Sequence, residues 1–139
     1  MKHALHIIVL EVLNLQKSIS FYRDGLGFEI TYLPNVNHAV FLPLGGVIIE
    51  LSDASFKEES SQEKKNILDG IKLVQNVGSE KEVQGLLMLA IQAGGKILKA
   101  PGKTTWGGYS GHFADLDGYV WVINYWSGWK YTKDGMLVI

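Results

Sequence analysis

Trp106-Gly-Gly-Tyr-Ser-Gly-His-Phe-Ala-Asp-Leu-Asp-Gly-Tyr-Val-Trp121 is the stretch that decides how the rest of the chain reads. Asp117-Gly118 within it predicts a tight hairpin, because such turns need positive φ and glycine adopts it without a Cβ clash. On either side, Tyr109 to Asp115 and Tyr119 to Trp126 are rich in aromatic and β-branched residues, so both read as strands.

Upstream of this hairpin, Lys96 to Lys99 reads as a further strand and Ser79 with Glu82 as a capping box. Val83, Leu86, Leu87, Ala90 and Ile91 form the apolar stripe of a helix that stops at Gly94-Gly95, and Ile71 to Val77 reads as a strand before it. The second half is thus β-α-β-β-β. The first half has the same order. Leu5 to Leu13 is a β-branched strand, Asn14 an N-cap, and Ile19, Tyr22 and Leu26 carry helical spacing, so a helix runs from Leu15 to about Asp24 and ends near Gly25. Phe28 to Leu33, stopped by Pro34, then Ala39 to Leu44 and, after the Gly45-Gly46 turn, Val47 to Ser52 complete three strands.

The two halves match by position as well as by order. The caps Asn14 and Ser79 lie 65 positions apart, the post-helix glycines Gly25 and Gly94 lie 69 apart, and the hairpin glycines Gly46 and Gly118 lie 72 apart. The fold class is therefore α+β, two tandem βαβββ modules packed about a groove enclosed by their sheets. Module 1 covers about 1–53 and module 2 about 70–126 of one 1–139 domain. Between them, 54–69 is a polar linker, and 127–139 is a C-terminal tail whose apolar Met136 to Ile139 should pack onto the domain or across a dimer interface.

Composition narrows the function classes. Thirteen basic against fourteen acidic residues, with signs interspersed, supply no field for nucleic acid or anionic lipid. The apolar runs are far shorter than the roughly 20 residues of a membrane helix, and Met1-Lys2-His3 leads into a strand without a signal-peptide cleavage site. With no cysteine, thiolate metal sites and a cysteine nucleophile are excluded, and a cytoplasmic location is the expectation.

The module pair, with Leu15, Ser18, Phe21-Tyr22 and Leu26-Gly27-Phe28 in the first copy and the Trp106 to Trp121 stretch in the second, resembles the vicinal oxygen chelate superfamily. That superfamily includes glyoxalase I, extradiol dioxygenases, fosfomycin-resistance enzymes and bleomycin-binding proteins, and the likeness covers essentially the whole chain. Its motifs specify the fold rather than one activity. Leu116 stands where the family's turn commonly has proline.

The resemblance implies four metal-ligand positions, a His on the first strand and a Glu on the last strand of each module. Counted from the caps and hairpin glycines, they fall on Ile7, Lys72, Glu50 and Val122. Related sequences usually carry Asp-Gly-x-x-Trp-Glu where this chain reads Asp117-Gly-Tyr-Val-Trp-Val122. Ile7 and Val122 offer no donor, and the Lys72 ammonium cannot ligate a cation, which leaves Glu50. No cofactor is expected; Zn, Ni, Mn or Fe enters only in a second reading. In the family register Lys72 stands in place of a metal with Glu50 as its counter-ion; a snorkelling Lys72 and an exposed Glu50 weigh equally.

Other candidates follow from strand alternation. Glu11 shares a face with Ile7, as a cavity group or an edge residue; Asn76 and Asn124 share faces with Lys72 and Val122; Trp126 joins the Val122 face among the late aromatic residues. His112 is a hydrogen-bonded strand histidine or a general base, while His3, His6 and His38 read as structural or surface groups. Glu11, Glu50, Lys72, Asn76, Val122, Asn124 and Trp126 are the ligand-binding candidates, and Glu50 and His112 the catalytic ones. The leading function is a metal-independent, homodimeric protein that binds a planar, apolar or drug-like small molecule. The alternative is a divalent-metal lyase, isomerase or dioxygenase.

Overall fold

The computed structural model describes residues 3–56 and 70–139, so most of the polar run assigned to the linker lies outside the described residues. The chain forms two compact units, Met1–Glu58 with Trp129–Ile139, and Glu59–Gly128. Among the described residues no helix is long and apolar enough to cross a membrane.

In the first unit, strand β1 (Ile7–Val12) runs parallel to β3 (Val47–Asp53), which pairs antiparallel with β2 (Ala39–Leu44), giving the order β1-β3-β2. Gly45 takes φ +69°, the backbone the β2–β3 turn demands. Between β1 and β2 comes helix α1 (Leu15–Ile19), whose cap Asn14 accepts from the Lys17 N–H at 3.0 Å. A π-helical turn over Ser20–Gly25 follows. α1 packs against β3, and the core is Leu10, Val12, Leu42, Ile49 and Leu51 with Ile19, Phe21 and Tyr22.

One expected strand is missing. Of Phe28 to Leu33, only Thr31 pairs, as a bridge to Phe41. The local cause lies at Phe28, whose N–H donates to the Tyr22 carbonyl at 2.9 Å and whose ring meets the Tyr22 ring edge-on, which ties the segment to the helix end. The first module is therefore a β-α-β-β unit with a single bridge in place of its second strand.

In the second unit, β4 (Leu73–Asn76), β5 (Lys96–Lys103), β6 (Tyr109–Ala114) and β7 (Val120–Tyr125) form a sheet of order β4-β7-β6-β5, with β4 parallel to β7. Helix α2 (Glu80–Gln92) packs on β5, β6 and β7 through Val83, Leu87 and Ala90. Its cap Ser79 accepts from the Glu82 N–H at 3.1 Å, while the Glu82 carboxylate accepts from Gly78, one residue earlier than in an ideal capping box. The hairpin between β6 and β7 is held by Asp115, whose Oδ1 accepts from the N–H groups of Asp117 and Tyr119, and Gly118 takes φ +90°. The chain ends in a small hairpin, β8 (Lys130–Tyr131) with β9 (Leu137–Val138), grouped with the first unit. Met136, Leu137, Val138 and Ile139 are exposed in it rather than packed onto the domain, the first of the two placements expected of them.

Candidate functional site

The ladder registers of the two units repeat each other. In the first, Val9 pairs Glu50 in parallel; in the second, Val74 pairs Val122. Those pairs are related by shifts of 65 and 72 positions, the offsets already separating the helix caps and the hairpin glycines. Each unit thus turns one sheet face toward its core; on the other, called the open face, Ile7, Val9 and Val74 are exposed while Ser110, Ala114 and Asn124 are buried.

On the open face of the first sheet, Ile7, Val9 and Glu11 of β1 lie beside Ile48, Glu50 and Ser52 of β3, with Phe41 of β2 opposite Glu50. Ile7 is 46% and Val9 52% exposed, whereas Leu10 and Val12 on the other face are buried. Glu50 is half-buried and Glu11 exposed, which sets Glu11 on the open face as its parity requires. Glu50 is thus directly flanked by the apolar Val9 and Phe41, with Glu11 one step further along the same face.

On the second sheet, Leu87 of α2 sits against Gly111, which marks the face of Gly111, Phe113, Trp121 and Ile123 as the core. By alternation the open face carries Ser110, His112 and Ala114 of β6, and Val120, Val122 and Asn124 of β7. Val74 and Asn76 of β4 join them, with Lys72 two residues ahead of Val74. His112 stands opposite Val122 on one side and Lys99 on the other. Asn124 is only 6% exposed and its Nδ2 donates to Asn76 Oδ1 at 2.9 Å, but its own Oδ1 is buried without a partner. Trp126, half-buried just past β7, meets the exposed Trp106 edge-on at 6.4 Å between ring centroids.

The structure thus brings Lys72, Asn76, His112, Val122 and Asn124 onto one face of the second sheet, and Glu11 and Glu50 onto one face of the first. Ser110 joins the second face by alternation from His112, whereas Lys99 escapes a sequence reading. Strict alternation from Lys96 would give this face Leu98, but the register shifts between Ile97 and Lys99, and the bulge places Lys99 there instead. His38, in contrast, is occupied structurally, stacked on Phe56 at 3.6 Å between centroids. A separate groove of about 610 Å³ opens between α2 and β4, lined by Gln75, Val77, Ser79, Glu82, Leu86 and Leu89. Gln75 pairs Ile123, so this groove lies on the helix side of the sheet.

A family model described as the Glyoxalase/Bleomycin resistance protein/Dioxygenase superfamily matches residues 4–123. The chain belongs to that superfamily. Among solved structures it is similar to a glyoxalase-related enzyme from Fulvimarina pelagi, at 24% identity and a TM-score of 0.87, covering 99% of each chain. It is also similar to a hypothetical protein from S. aureus, at 27% identity and a TM-score of 0.77, covering 91% of this chain and 95% of that one. A third likeness is to a glyoxalase/bleomycin resistance protein/dioxygenase family enzyme from Burkholderia phytofirmans, at 22% identity and a TM-score of 0.71, covering 88% and 98%. No protein of curated function matches the sequence.

Membership of the superfamily raises the question of a metal, and the residues do not fit one. At the family's ligand positions the first unit offers an aliphatic side chain and one carboxylate, Ile7 and Glu50. The second offers an ammonium and an aliphatic side chain, Lys72 and Val122. Mn, Fe, Ni and Zn sites draw three or more His, carboxylate or similar donors. Among the described residues no group of three His, Asp or Glu side chains is placed to hold an ion.

Burial, and then the charges of Lys72 and Lys99, hold the His112 pKa below the ordinary histidine value. Lys99 on β5 and Lys72 ahead of β4 are the charged groups that face it, and this face of the second unit carries no carboxylate among the described residues. A histidine that resists protonation when folded contributes nothing adverse above about pH 6.5. As pH falls below that value the unfolded chain takes up a proton the folded chain refuses, so stability drops. Urea midpoints measured at about pH 7.5 and about pH 5.5 should show this fall, and a smaller one in His112→Gln. Equal falls in the two proteins would remove His112 as its source.

Proposed function

We propose that this superfamily member binds a small planar or apolar molecule and does so without a metal ion. The observation that carries the reading is Val122. It lies mid-strand on β7, between His112 and Val74 in the ladder, at the position where related sequences carry a ligating glutamate. A site built for Lewis-acid chemistry has no use for an isopropyl group there. On the open face of the second sheet Val74 is left 59% exposed, which suits a ligand that removes it from water. Covering such surface yields about 25 cal/mol per Å². The amides of Asn76 and Asn124 and the half-buried Trp126 then supply orientation and stacking.

Two titrations on one preparation test this. Calorimetry with Mn²⁺, Ni²⁺, Zn²⁺ and Fe²⁺ should give no stoichiometric binding, while an NMR screen of planar aromatic compounds should give at least one saturable binder that shifts open-face amides. Tight binding of one metal ion per chain would overturn the reading and promote a metal-dependent lyase, isomerase or dioxygenase.

A further inference from the structure

Among the described residues the charges on the second open face are all of one sign. Lys99 pairs directly with His112, His112 with Val122 and Val122 with Val74, and Lys72 lies two residues before Val74. Lys96, opposite Ala114, adds a third ammonium at the far end of the same face. Directly paired residues in a sheet hold their Cβ atoms about 5 Å apart, so the row from Lys99 to Val74 spans four adjacent strands. Among the described residues none of the three lysines makes an ion pair, whereas Arg23 pairs with Asp24. Beside this row lies an acceptor with no donor, the buried Oδ1 of Asn124, whose amide is already fixed through Nδ2 to Asn76. A buried amide oxygen left unpaired is destabilising, and a ligand N–H or O–H reaching it recovers that cost.

We propose that this face binds the carboxylate of a small organic acid between Lys72 and Lys99, with a hydroxyl or N–H of the same molecule donating to Asn124 Oδ1. This rests on the small-molecule reading above and names its ligand class. The neutral imidazole of His112, between the lysines, donates a third hydrogen bond to the carboxylate without adding charge. Asn124 stands opposite Ser110 and His112 opposite Val122, two rungs along the same hairpin, which separates the donor-seeking amide from the carboxylate by the width of one aromatic ring. An acid bearing its hydroxyl meta to the carboxylate matches that spacing.

The test uses the full chain labelled with ¹⁵N and three probes: 3-hydroxybenzoate, benzoate and 3-hydroxybenzamide. The hydroxy acid should shift the amides of β4, β6 and β7 saturably and bind several-fold more tightly than benzoate. The uncharged amide should bind about tenfold more weakly, as should the hydroxy acid to the Lys72→Gln, Lys99→Gln double variant. Both lysines are exposed, so the variant is expected to keep its fold, and its unshifted amide spectrum verifies that. If the amide probe binds as well as the acid, or the double variant binds the acid unchanged, the carboxylate site is overturned while the small-molecule reading stands. If binders from the wider screen are all neutral or cationic, the result is the same. If nothing binds in either experiment, both fall.

Discussion

Phe113→Ala should destabilise the protein by about 3–5 kcal/mol, a large fraction of the 5–15 kcal/mol that holds a typical domain folded. Phe113 has no exposed surface and lies on the core face of β6, opposite both Ile97 and Trp121. Its ring stacks on that of Trp121, parallel to within 4° at 6.3 Å between centroids. Truncation removes that stacking and leaves a void beneath α2, which cannot collapse because Leu87 is already pressed against Gly111. Phe113→Leu, which keeps most of the volume, should cost about 1.5 kcal/mol or less. Urea unfolding of the three proteins measures both values. A loss below about 1 kcal/mol in the alanine variant would mean that the core of the second unit is organised elsewhere.

The second large effect is a gain. A double variant, Lys72→His and Val122→Glu, creates with His112 three donors on one face of the second sheet. It should bind Zn²⁺ or Ni²⁺ at least about a hundredfold more tightly than the parent chain by calorimetry. Lys72→His alone should gain little, because two donors do not fill a coordination shell. The three positions are neighbours in one sheet: His112 stands opposite Val122, Val122 opposite Val74, and Lys72 two residues before Val74. A folded double variant with no gain would show that donors matched along this ladder do not converge on an ion.

Much of the fold was legible because its signals are local. Ser79 and Glu82 announced α2, Gly94-Gly95 its end, and Asp117-Gly118 the hairpin; each works through backbone conformation or a hydrogen bond within four residues. The expected strand at Phe28 to Leu33 failed although its composition suits a strand, because Phe28 is bound back to Tyr22 at the helix end and Thr31 alone reaches β2. The open faces were legible by parity wherever strands are regular, which placed Glu11, Glu50, Val122 and Asn124. Parity fails where a strand bulges. Lys99 reached its face because one residue of β5 is unpaired, a choice made by the partner strand and invisible in residues 96–99 alone. The unpaired Oδ1 of Asn124 was likewise unreadable, since it depends on Asn76, 48 residues away, taking the other end of the amide.

The parallel pairing that closes each unit also sets an order of events for a chain that is still folding. The β6–β7 hairpin can zip from Ala114 and Val120 across a turn, and β2–β3 from Leu44 and Val47. Pairing Ile7 with Ile48, or Leu73 with Trp121, must first close loops of 41 and 48 residues. Closing such loops costs conformational entropy before any rung of the ladder forms, so the parallel strands join late. On a ribosome, β4 must wait for β7, the last strand of its sheet to emerge. Until then the residues destined for the open face, Val74 among them, sit on an unpaired edge exposed to neighbouring chains.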